Sequence, residues 1–506
     1  MRREILGVAL AGAVVLGGCS VSPTPTSTPA ATPVTTPSVT AEKQTFALPC
    51  YPAGGFHPIT GSNRLNLTLA PLMYRGLFSL DGQFQPVEEL CREYAVSEDG
   101  LVWKFQLTAA SFSDGSPVTA KEVVDSLNAA RRSGRYRERL SNIQRVIQEE
   151  TAVVVTLAKP NGALPALLDV PVVKETEDPL RPLGTGIYYL NDEGDTLALR
   201  ARTGAVTPLE TIPLRAVAAS DDLIYAFDAG EIALVDTDLT STNALGYSGR
   251  FETTDYATTT LLYIACNTKT GSCKDPLVRQ AVERVVDREE MVKRLLAGHG
   301  TATALLAHPV AAEYDAQIAH SLAYDREAAL AALEAAGWRL DEGVLKKGKN
   351  QLELKLVVNQ DNTAKVKMAQ ALQGELEELG AVVTLERLPW DDFETTLKRG
   401  DFDLYLAETV LTADFDPEIL LTGELNYGGF ADEETAQLLA EYQRAGGEER
   451  KEAAARLWER LAQTTPVVPI CFKNGSLLTR WGQVSGAAPT QRNVFAGLEN
   501  WKISGS

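Results

Sequence analysis

The stretch Gln85–Arg132, QPVEELCREYAVSEDGLVWKFQLTAASFSDGSPVTAKEVVDSLNAARR, contains three segments of different periodicity separated by turn residues. Tyr94–Val96 leads into Ser97–Gly100, a turn with glycine at the position where a positive φ is needed. Leu101–Leu107 then alternates apolar and polar residues, as a half-buried strand does. The pattern predicts a β-hairpin.

A second turn and a helix follow the hairpin. The turn is Phe112–Val118, and Thr119 comes next with Glu122 three residues later. This spacing predicts a capping box, in which each side chain accepts a hydrogen bond from the backbone of the other residue. One face of the helix is apolar and consists of Val123, Val124 and Leu127.

This order of elements resembles the extracellular solute-binding proteins of ABC transporters, specifically family 5, the oligopeptide, dipeptide and nickel group. Thr108 and Glu122 depart from the family's signature, which has Arg and Asp at those positions. Similar stretches cover nearly all of residues 45–501. The positions that match the signature are Ser97, Asp99, Gly100, Trp103, Phe105, Leu107, Phe112, Asp114, Gly115, Pro117, Val118, Thr119, Ala120 and Val123.

The resemblance implies an α/β fold of the two-lobed periplasmic-binding-protein type (class II), with mixed sheets, flanking helices and a hinge crossed twice by the chain. We expect the first lobe at residues 44–258, enlarged by an extra subdomain at about 76–174. The second lobe is expected at 259–468, with a return to the first lobe at 469–506. The hinge crossings are predicted at Tyr256–Leu262 and Pro466–Phe472.

Local patterns predict individual elements of this fold. Leu352–Val358, Thr363–Leu379 and Val382–Glu386 have the character of a strand, a helix and a strand, which predicts a βαβ unit with parallel strands. Phe46–Leu48 is expected as the first strand and Leu67–Leu77 as a helix. Leu183–Tyr189 is interpreted as a tight turn that places Tyr188 in a sheet. Asp275, followed by Pro276, is expected to cap a helix, and Arg279, Asp287 and Arg288 are interpreted as structural charges.

The N-terminus has the features of an export signal. Arg2 and Arg3 precede an apolar run from Ile5 to Leu16, too short to span a bilayer, and Gly18-Cys19 follows. This resembles a bacterial lipoprotein signal, which implies a signal peptide at residues 1–18 and a lipid on Cys19. An ordinary secretory signal is the alternative. The Pro- and Thr-rich remainder of residues 19–43 is interpreted as a disordered tether, so the protein is expected outside the cytoplasm, on the outer face of the membrane or in the periplasm.

Composition excludes several classes of function. The 506 residues carry a formal net charge of −19, which argues against nucleic acid as a partner. The four His residues show no ligand spacing, so neither a metal site nor any cofactor is predicted. Cys266 and Cys273 flank six residues and could form a disulfide or remain buried free thiols. The sequence shows no pairing of a nucleophile with a base, so we expect no enzymatic activity.

The loop Thr412–Pro417 resembles the family's loop in which an Asp receives the α-ammonium of a bound peptide, and the matching residue is Asp414. A carboxylate is suited to that role because it makes charge-assisted hydrogen bonds. An Asx turn before Pro417 is the alternative. The full set of expected ligand-binding residues is Asp414, Trp390, Glu408, Phe415, Asn426, Tyr427, His57 and Arg75.

The sequence therefore predicts a monomeric, lipid-anchored receptor that captures a short peptide between two lobes and delivers it to an ABC permease. The same family includes binders of nickel chelates, haem-related compounds, sugars and opines, and these ligands remain open. A sensor lipoprotein with this fold and no transport role is a further alternative.

Overall fold

The computed structural model describes residues 46–193 and 196–504. The predicted signal peptide, Cys19 and the tether lie outside these ranges, and their assignment stays a prediction. Among the described residues, no helix combines the length and the apolar character needed to cross a membrane.

The strands of the described residues form several separate sheets. In chain order they are β1 (Leu48–Cys50), β2 (Phe78–Leu80), β3 (Pro86–Glu88), β4 (Cys91–Val96), β5 (Val102–Leu107), β6 (Ile143–Glu149), β7 (Ala152–Leu157), β8 (Tyr188–Glu193), β9 (Thr196–Ala201), β10 (Thr211–Ala216), β11 (Leu234–Thr237), β12 (Phe251–Cys266), β13 (Gly300–Ala302), β14 (Arg339–Asp341), β15 (Val344–Lys347), β16 (Asn350–Gln351), β17 (Glu353–Asn359), β18 (Val382–Leu388), β19 (Leu404–Val410), β20 (Val467–Arg480), β21 (Val484–Ser485) and β22 (Lys502–Ile503).

Helices flank these sheets. They are α1 (Arg64–Met73), α2 (Ala120–Ala130), α3 (Ser220–Ala229), α4 (Pro276–Arg284), α5 (Arg288–Leu295), α6 (Ala316–Ser321), α7 (Arg326–Ala335), α8 (Thr363–Glu378), α9 (Trp390–Arg399), α10 (Glu418–Leu421), α11 (Glu433–Arg444) and α12 (Gly447–Thr464).

Two four-stranded sheets form in the part of the chain before β11. One has the order β1-β10-β9-β8 and the other β4-β5-β7-β6. The predicted hairpin is confirmed, since β4 and β5 pair antiparallel with Val96 opposite Trp103, and Gly100 between them has a φ of 72°. The capping box of α2 is also confirmed, with Thr119 accepting from the backbone and Glu122 accepting from the Thr119 N–H.

A seven-stranded mixed sheet dominates the rest of the chain, with the order β11-β20-β12-β19-β17-β18 and with β13 on β20. The predicted βαβ unit is confirmed, because β17 and β18 pair parallel and α8 connects them. Leu354, Leu356 and Val358 of β17 are buried against Met368 and Leu372 of α8 in one apolar core. The mixed sheets with flanking helices agree with the predicted α/β class.

Two expected elements are displaced. The helix expected at Leu67–Leu77 begins at Arg64, because the Asn63 side chain accepts the Asn66 N–H and caps it there. It ends at Met73, because Tyr74 turns to an extended backbone and its hydroxyl bonds the carbonyls of Phe56 and Pro182. The first strand covers Leu48–Cys50 and not Phe46–Leu48, since pairing with β10 begins at Leu48.

Polar groups singled out by the sequence have structural roles here. Arg279 donates to the carbonyls of Thr465 and Cys273, and Arg288 pairs with Glu283. Cys266 and Cys273 are buried free thiols, so the disulfide interpretation is not supported. A hydrogen bond with Cys266 raises the pKa of Cys273 well above its usual range, and burial of the thiol adds to the effect.

The long strands β12 and β20 extend from the part of the sheet next to β11 to the part next to β19. Residues 251–257 of β12 pair with residues 474–480 of β20, next to β11, and residues 261–265 pair with 467–472, next to β19. The register shifts between Ala257 and Leu261. A break in register bends a strand locally. This break lies within the predicted hinge crossing Tyr256–Leu262.

We expect Thr119→Ala to lower the free energy of unfolding by about 1 kcal/mol, because the N-terminal N–H groups of α2 lose their cap. Thr119→Ser keeps the hydroxyl and should stay close to the unchanged protein. Chemical denaturation of the three proteins measures this. Equal midpoints for the Ala and Ser variants would show that the capping box contributes nothing.

Candidate functional site

A short loop, Thr412–Pro417, connects β19 to α10. Phe415 in this loop has a φ of 50°, a conformation that bulky residues rarely adopt. Its ring is fully buried and makes edge contacts with Phe84 and Phe472, with centroids 5.2 and 5.7 Å apart. The packing of this ring therefore holds the loop, and with it the neighbouring Asp414.

Asp414 is 3% exposed. Its Oδ2 accepts a hydrogen bond from Asn161 Nδ2 at 3.0 Å, and its Oδ1 is buried with no hydrogen-bond partner among the described residues. The backbone carbonyl of Asp414 accepts from the Tyr442 hydroxyl and from Arg450 Nη2. A buried carboxylate with one neutral donor and one empty oxygen is costly unless a further donor or cation reaches it.

Negative charge is in excess around this carboxylate. Asp416 is buried two residues away, and burial followed by the charge of Asp414 raises the pKa of Asp416 to about 6. Its hydrogen-bond donors are neutral, the Glu418 N–H at 2.9 Å and Gln443 Nε2 at 2.8 Å. Among the residues that the structure describes, neither of the two carboxyl groups forms a salt bridge within 4.0 Å.

Two basic side chains lie near these acids. Arg450 Nε lies 3.3 Å from Glu313, and Lys159 Nζ lies 2.7 Å from Glu418. The charges of Asp414 and Asp416 also act on Arg450, so that two bases face four acids, Glu313, Asp414, Asp416 and Glu418, and negative charge is in surplus. A cation entering next to Asp414 would relieve the repulsion between the two carboxylates.

Phe84 closes the apolar side of the site. It follows β2 in a turn, has a φ of 62° and is 4% exposed. Its ring contacts Phe415 and His308, the latter with centroids 5.6 Å apart. Burial lowers the pKa of His308 to about 4, so the imidazole is neutral at pH 7. A side chain from the β2–β3 turn thus packs into the same apolar cluster as the Asp414 loop.

A cavity of about 390 Å³ opens next to this cluster. Its walls include Leu80 and Phe84, the β12 residues Thr254–Ala257, and the segment Ala488–Arg492. Leu80 packs on Ala413, and Phe84 packs on Phe415. Asp414 does not line the cavity, although its neighbours Ala413 and Phe415 contact two residues that do.

Two of the other predicted residues lie in the loop between α10 and α11. Tyr427 is half-buried and packs on Tyr405, with ring centroids 6.2 Å apart, in the apolar cluster that also contains Phe415. The Asn426 amide donates to the carbonyls of Leu421 and Phe430, and its oxygen accepts the Phe430 N–H. Asn426 therefore stabilises its own loop.

The remaining predicted residues do not line the cavity. Glu408 lies 3.6 Å from both Lys365 and Lys473, in an ion-pair cluster. Trp390 is 57% exposed at the start of α9.

In the first part of the chain, His57 Nδ1 accepts the backbone N–H of Ile59, and Nε2 lies 3.2 Å from Glu175. Arg75 pairs with Glu89 at 3.4 Å on a partly exposed surface. In this structure His57 stabilises a turn and Arg75 forms a surface ion pair, and their predicted contact with a ligand stays a prediction.

Sequence reasoning missed Asn161 and Phe84, which contact Asp414 and Phe415. Asn161 begins a connection after β7 that carries no sequence motif for binding, and its contact with Asp414 spans more than 250 positions. Phe84 follows Gly82 in an ordinary turn sequence. Nothing in either local pattern indicates a long-range contact.

Comparison with known proteins agrees with this architecture. The model of the bacterial extracellular solute-binding proteins, family 5 Middle, matches residues 85–428. The glutathione-binding protein GsiB of Shigella flexneri serotype 5b is 26% identical over 304 residues, which cover 56% of this chain and 59% of GsiB. The alignment therefore spans less than two thirds of that relative.

Solved structures share the fold over most of the chain. The murein tripeptide-binding protein MppA, in its unliganded open form, matches with a TM-score of 0.73 and 19% identity, covering 92% of this chain and 98% of MppA. NikA from Brucella suis, in complex with Fe(III)-EDTA, matches with a TM-score of 0.67 and 19% identity, covering 91% and 99%. These likenesses establish a two-lobed binding-protein fold.

We expect Asp416→Asn to change how stability depends on pH. The unfolded carboxyl titrates near its usual value and the folded one near pH 6, so the folded state holds a proton that the unfolded state has lost. The unchanged protein should therefore lose up to about 3 kcal/mol of unfolding free energy between pH 4 and 6.5, and the variant should not.

Urea denaturation at a series of pH values measures this difference. Asp221→Asn, at an exposed position in the first turn of α3, is the matched control and should follow the unchanged protein. Parallel pH profiles for Asp416→Asn and the unchanged protein would contradict the assigned titration of Asp416.

Proposed function

The chain belongs to the bacterial extracellular solute-binding proteins of family 5, and from this membership we propose that it captures a short peptide and delivers it to an ABC permease. Members of this family are binding proteins for transport and not enzymes. The peptide, its site and the lipid anchor are the specific parts of the proposal.

The observation that carries the peptide assignment is the unpartnered Oδ1 of Asp414. Water cannot easily solvate a carboxylate oxygen at this depth, and the neighbouring Asp416 adds to its unfavourable electrostatics. An α-ammonium supplies three N–H donors and a positive charge, which satisfies the empty oxygen and offsets the acidic surplus. A neutral solute offers neither the charge nor this number of donors.

Asn161 occupies the donor position on Oδ2 in this structure. Its segment also bonds the second half of the chain through the Gly162 N–H, which donates to the Gln443 carbonyl at 2.8 Å. We interpret the Asn161 amide as a neutral donor at a position that the ammonium would share. Peptide entry then requires Asn161 and Phe84 to move away from the Asp414 loop.

A metal-chelate ligand is less well supported. The described residues contain no group of three or more His, Cys, Asp or Glu side chains arranged to hold a metal ion. A chelator would itself present carboxylates, which the acidic surplus at Asp414 and Asp416 disfavours. The names of GsiB and MppA refer to glutathione and to a murein tripeptide, which is in keeping with the peptide proposal.

Membrane attachment through Cys19 completes the proposal. A lipid on Cys19 and the following Pro- and Thr-rich segment would keep the binding domain near the permease while leaving it free to turn. Ligand binding and anchoring are then independent properties, each with its own test.

For Asp414→Asn we expect a loss of affinity for peptides with a free N-terminus, of roughly 30-fold to several thousand-fold. The substitution keeps the shape and one acceptor but removes the charge that pairs with the ammonium. The probe is an equimolar library of di- and tripeptides without Asp or Glu, prepared with free and with acetylated N-termini. Native mass spectrometry of the full chain measures retention.

The unchanged protein should retain the free peptides and release the acetylated ones, whereas Asp414→Asn should retain neither well. Asp221→Asn, an exposed acid far from the loop in sequence, serves as the control. Equal retention of the free and acetylated libraries by the unchanged protein would mean that Asp414 does not recognise the ammonium. Retention of no peptide at all would refute the peptide proposal.

We expect Cys19→Ala to abolish membrane attachment and to leave peptide retention unchanged, because the thiol is the group that takes the lipid. Partitioning of the expressed protein between detergent and aqueous phases measures this. Recovery of the Ala variant in the detergent phase would refute the lipoprotein assignment without affecting the binding proposal.

A further inference from the structure

The segment that joins α2 to β6 is rich in arginine. Residues 131–145 contain six Arg and one Glu, which gives a formal charge of +5, in a chain where Asp and Glu outnumber Lys and Arg by 67 to 48. This segment therefore concentrates positive charge in an acidic protein. The basic residues are Arg131, Arg132, Arg135, Arg137, Arg139 and Arg145.

Two of these arginines have structural roles. Arg131 Nη2 donates to the carbonyls of Ile143 at 2.6 Å and Gln144 at 2.9 Å, and these bonds close the segment into a loop. Arg139 turns inward, where its side chain is 9% exposed and its Nη1 lies 2.7 Å from Asp169. Both side chains are thus engaged by the protein itself.

The other four, Arg132, Arg135, Arg137 and Arg145, are exposed and are called the arginine patch below. Within the described ranges of the chain, no guanidinium of the patch forms a salt bridge or a hydrogen bond. The guanidinium of Arg135 lies 5.5 Å from the ring centroid of Tyr136. Because the loop is closed at its base, the four cationic side chains project from one compact segment and can act on one partner.

The loop presents charge without an exposed apolar side chain. Tyr136, Leu140 and Ile143 are 6%, 2% and 3% exposed and belong to an apolar core. The exposed positions of residues 131–145 are occupied by Arg, Gly, Glu, Ser and Gln alone. Protein interfaces derive most of their binding energy from aromatic and other large side chains buried at their centre, whereas a headgroup surface attracts basic segments by charge. The composition of the loop therefore favours a lipid surface over a protein partner.

We propose that the arginine patch binds the anionic phospholipid headgroups of the membrane. A guanidinium suits a phosphodiester because it donates two parallel hydrogen bonds to phosphate oxygens. Each basic side chain near an anionic membrane raises the affinity roughly fivefold. The acidic remainder of the protein does not prevent this contact, because salt screens exposed charges beyond about 8 Å at physiological ionic strength. Bound in this way, the loop fixes which side of the protein faces the bilayer.

This inference goes beyond the proposed function and depends neither on the peptide nor on a lipid at Cys19. The test compares vesicles of phosphatidylcholine with vesicles of equal parts phosphatidylcholine and phosphatidylglycerol. Cosedimentation measures the bound fraction. Every full-length chain in the test carries Cys19→Ala, so that a lipid at that position does not contribute. Binding through the apolar N-terminal run is the same in all of them.

The patch variant combines Arg132→Gln, Arg135→Gln, Arg137→Gln and Arg145→Gln. A matched control removes the same charge from four exposed bases that each pair with an acid, and circular dichroism checks that both variants are folded. The control combines Arg92→Gln, Arg294→Gln, Lys398→Gln and Arg456→Gln, whose side chains are 63%, 71%, 58% and 50% exposed.

The chain with the intact patch and the control variant should bind the anionic vesicles roughly tenfold or more tightly than the neutral ones, and added salt should reduce this preference. The patch variant should lose the preference. Substitution of the four patch residues by Lys keeps their charge and should retain most of it.

Equal binding of the intact patch to both types of vesicle would overturn the inference. An equal loss of preference in the control variant would also overturn it, because the effect would then follow net charge and not the position of the arginines. Soluble polyglutamate is the second probe. If the intact patch binds polyglutamate and does not distinguish the vesicles, the partner is an acidic protein and the lipid assignment is wrong.

If the patch variant does not fold, Arg137→Gln and Arg145→Gln are tested singly. Each should lower the preference for anionic vesicles by roughly twofold to fivefold, and no change in either would overturn the inference. All of these outcomes leave the peptide proposal unaffected, since none of the measurements contains a peptide.

Discussion

The antiparallel pairing of β12 with β20 is the constraint on which the rest of the structure depends. These two strands are neighbours in the seven-stranded sheet. β20 pairs with β11 on one side, and β12 pairs on the other side with β19, which is followed by β17. At the register shift the ladder is replaced by side-chain bonds, since Thr258 Oγ1 donates to the Lys473 carbonyl at 2.6 Å and the Thr259 N–H donates to Gln491 Oε1. Bending is thus concentrated where backbone pairing is interrupted.

A buried ion-pair group crosses the same region. Lys473 is 5% exposed at the side chain and lies 2.7 Å from Asp238 and 3.6 Å from Glu408. It therefore connects the loop after β11 to β19, on opposite sides of the register shift. Because breaking a buried pair leaves a charge uncompensated, this group favours one relative arrangement of the two halves over a continuum of them. Such a preference suits a protein that changes between discrete open and closed forms.

The sequence predicted those features that depend on local chemistry. The β4–β5 hairpin, the capping box of α2, the Asp275 cap and the βαβ unit each follow from short patterns of turns, caps and periodicity. The errors occur where contacts with residues distant in the sequence determine where an element begins or ends. Helix α1 ends early because Tyr74 bonds carbonyls of Phe56 and Pro182, the latter more than 100 positions away.

The candidate site was predicted only in part for the same reason. Asp414 and Phe415 were predicted through one loop motif, and both are buried in the loop between β19 and α10. Their contacts with Asn161 and Phe84 come from other parts of the chain and have no signature in sequence. Glu408 and Asn426 were also predicted as ligand-binding residues. Glu408 belongs to an ion-pair group, and Asn426 forms hydrogen bonds within its own loop. Proximity in sequence to a site does not determine which groups a side chain will contact in the folded protein.

Opposite charge imbalances occur along one connecting segment. Asn161, near its start, bonds Asp414, where two carboxyl groups outnumber the available cations. Asp169, eight positions later, joins Arg139 and Arg492, where guanidinium groups outnumber carboxylates. Each imbalance is costly alone, because a surplus charge is held out of water. A group of opposite charge at either place would lower that cost.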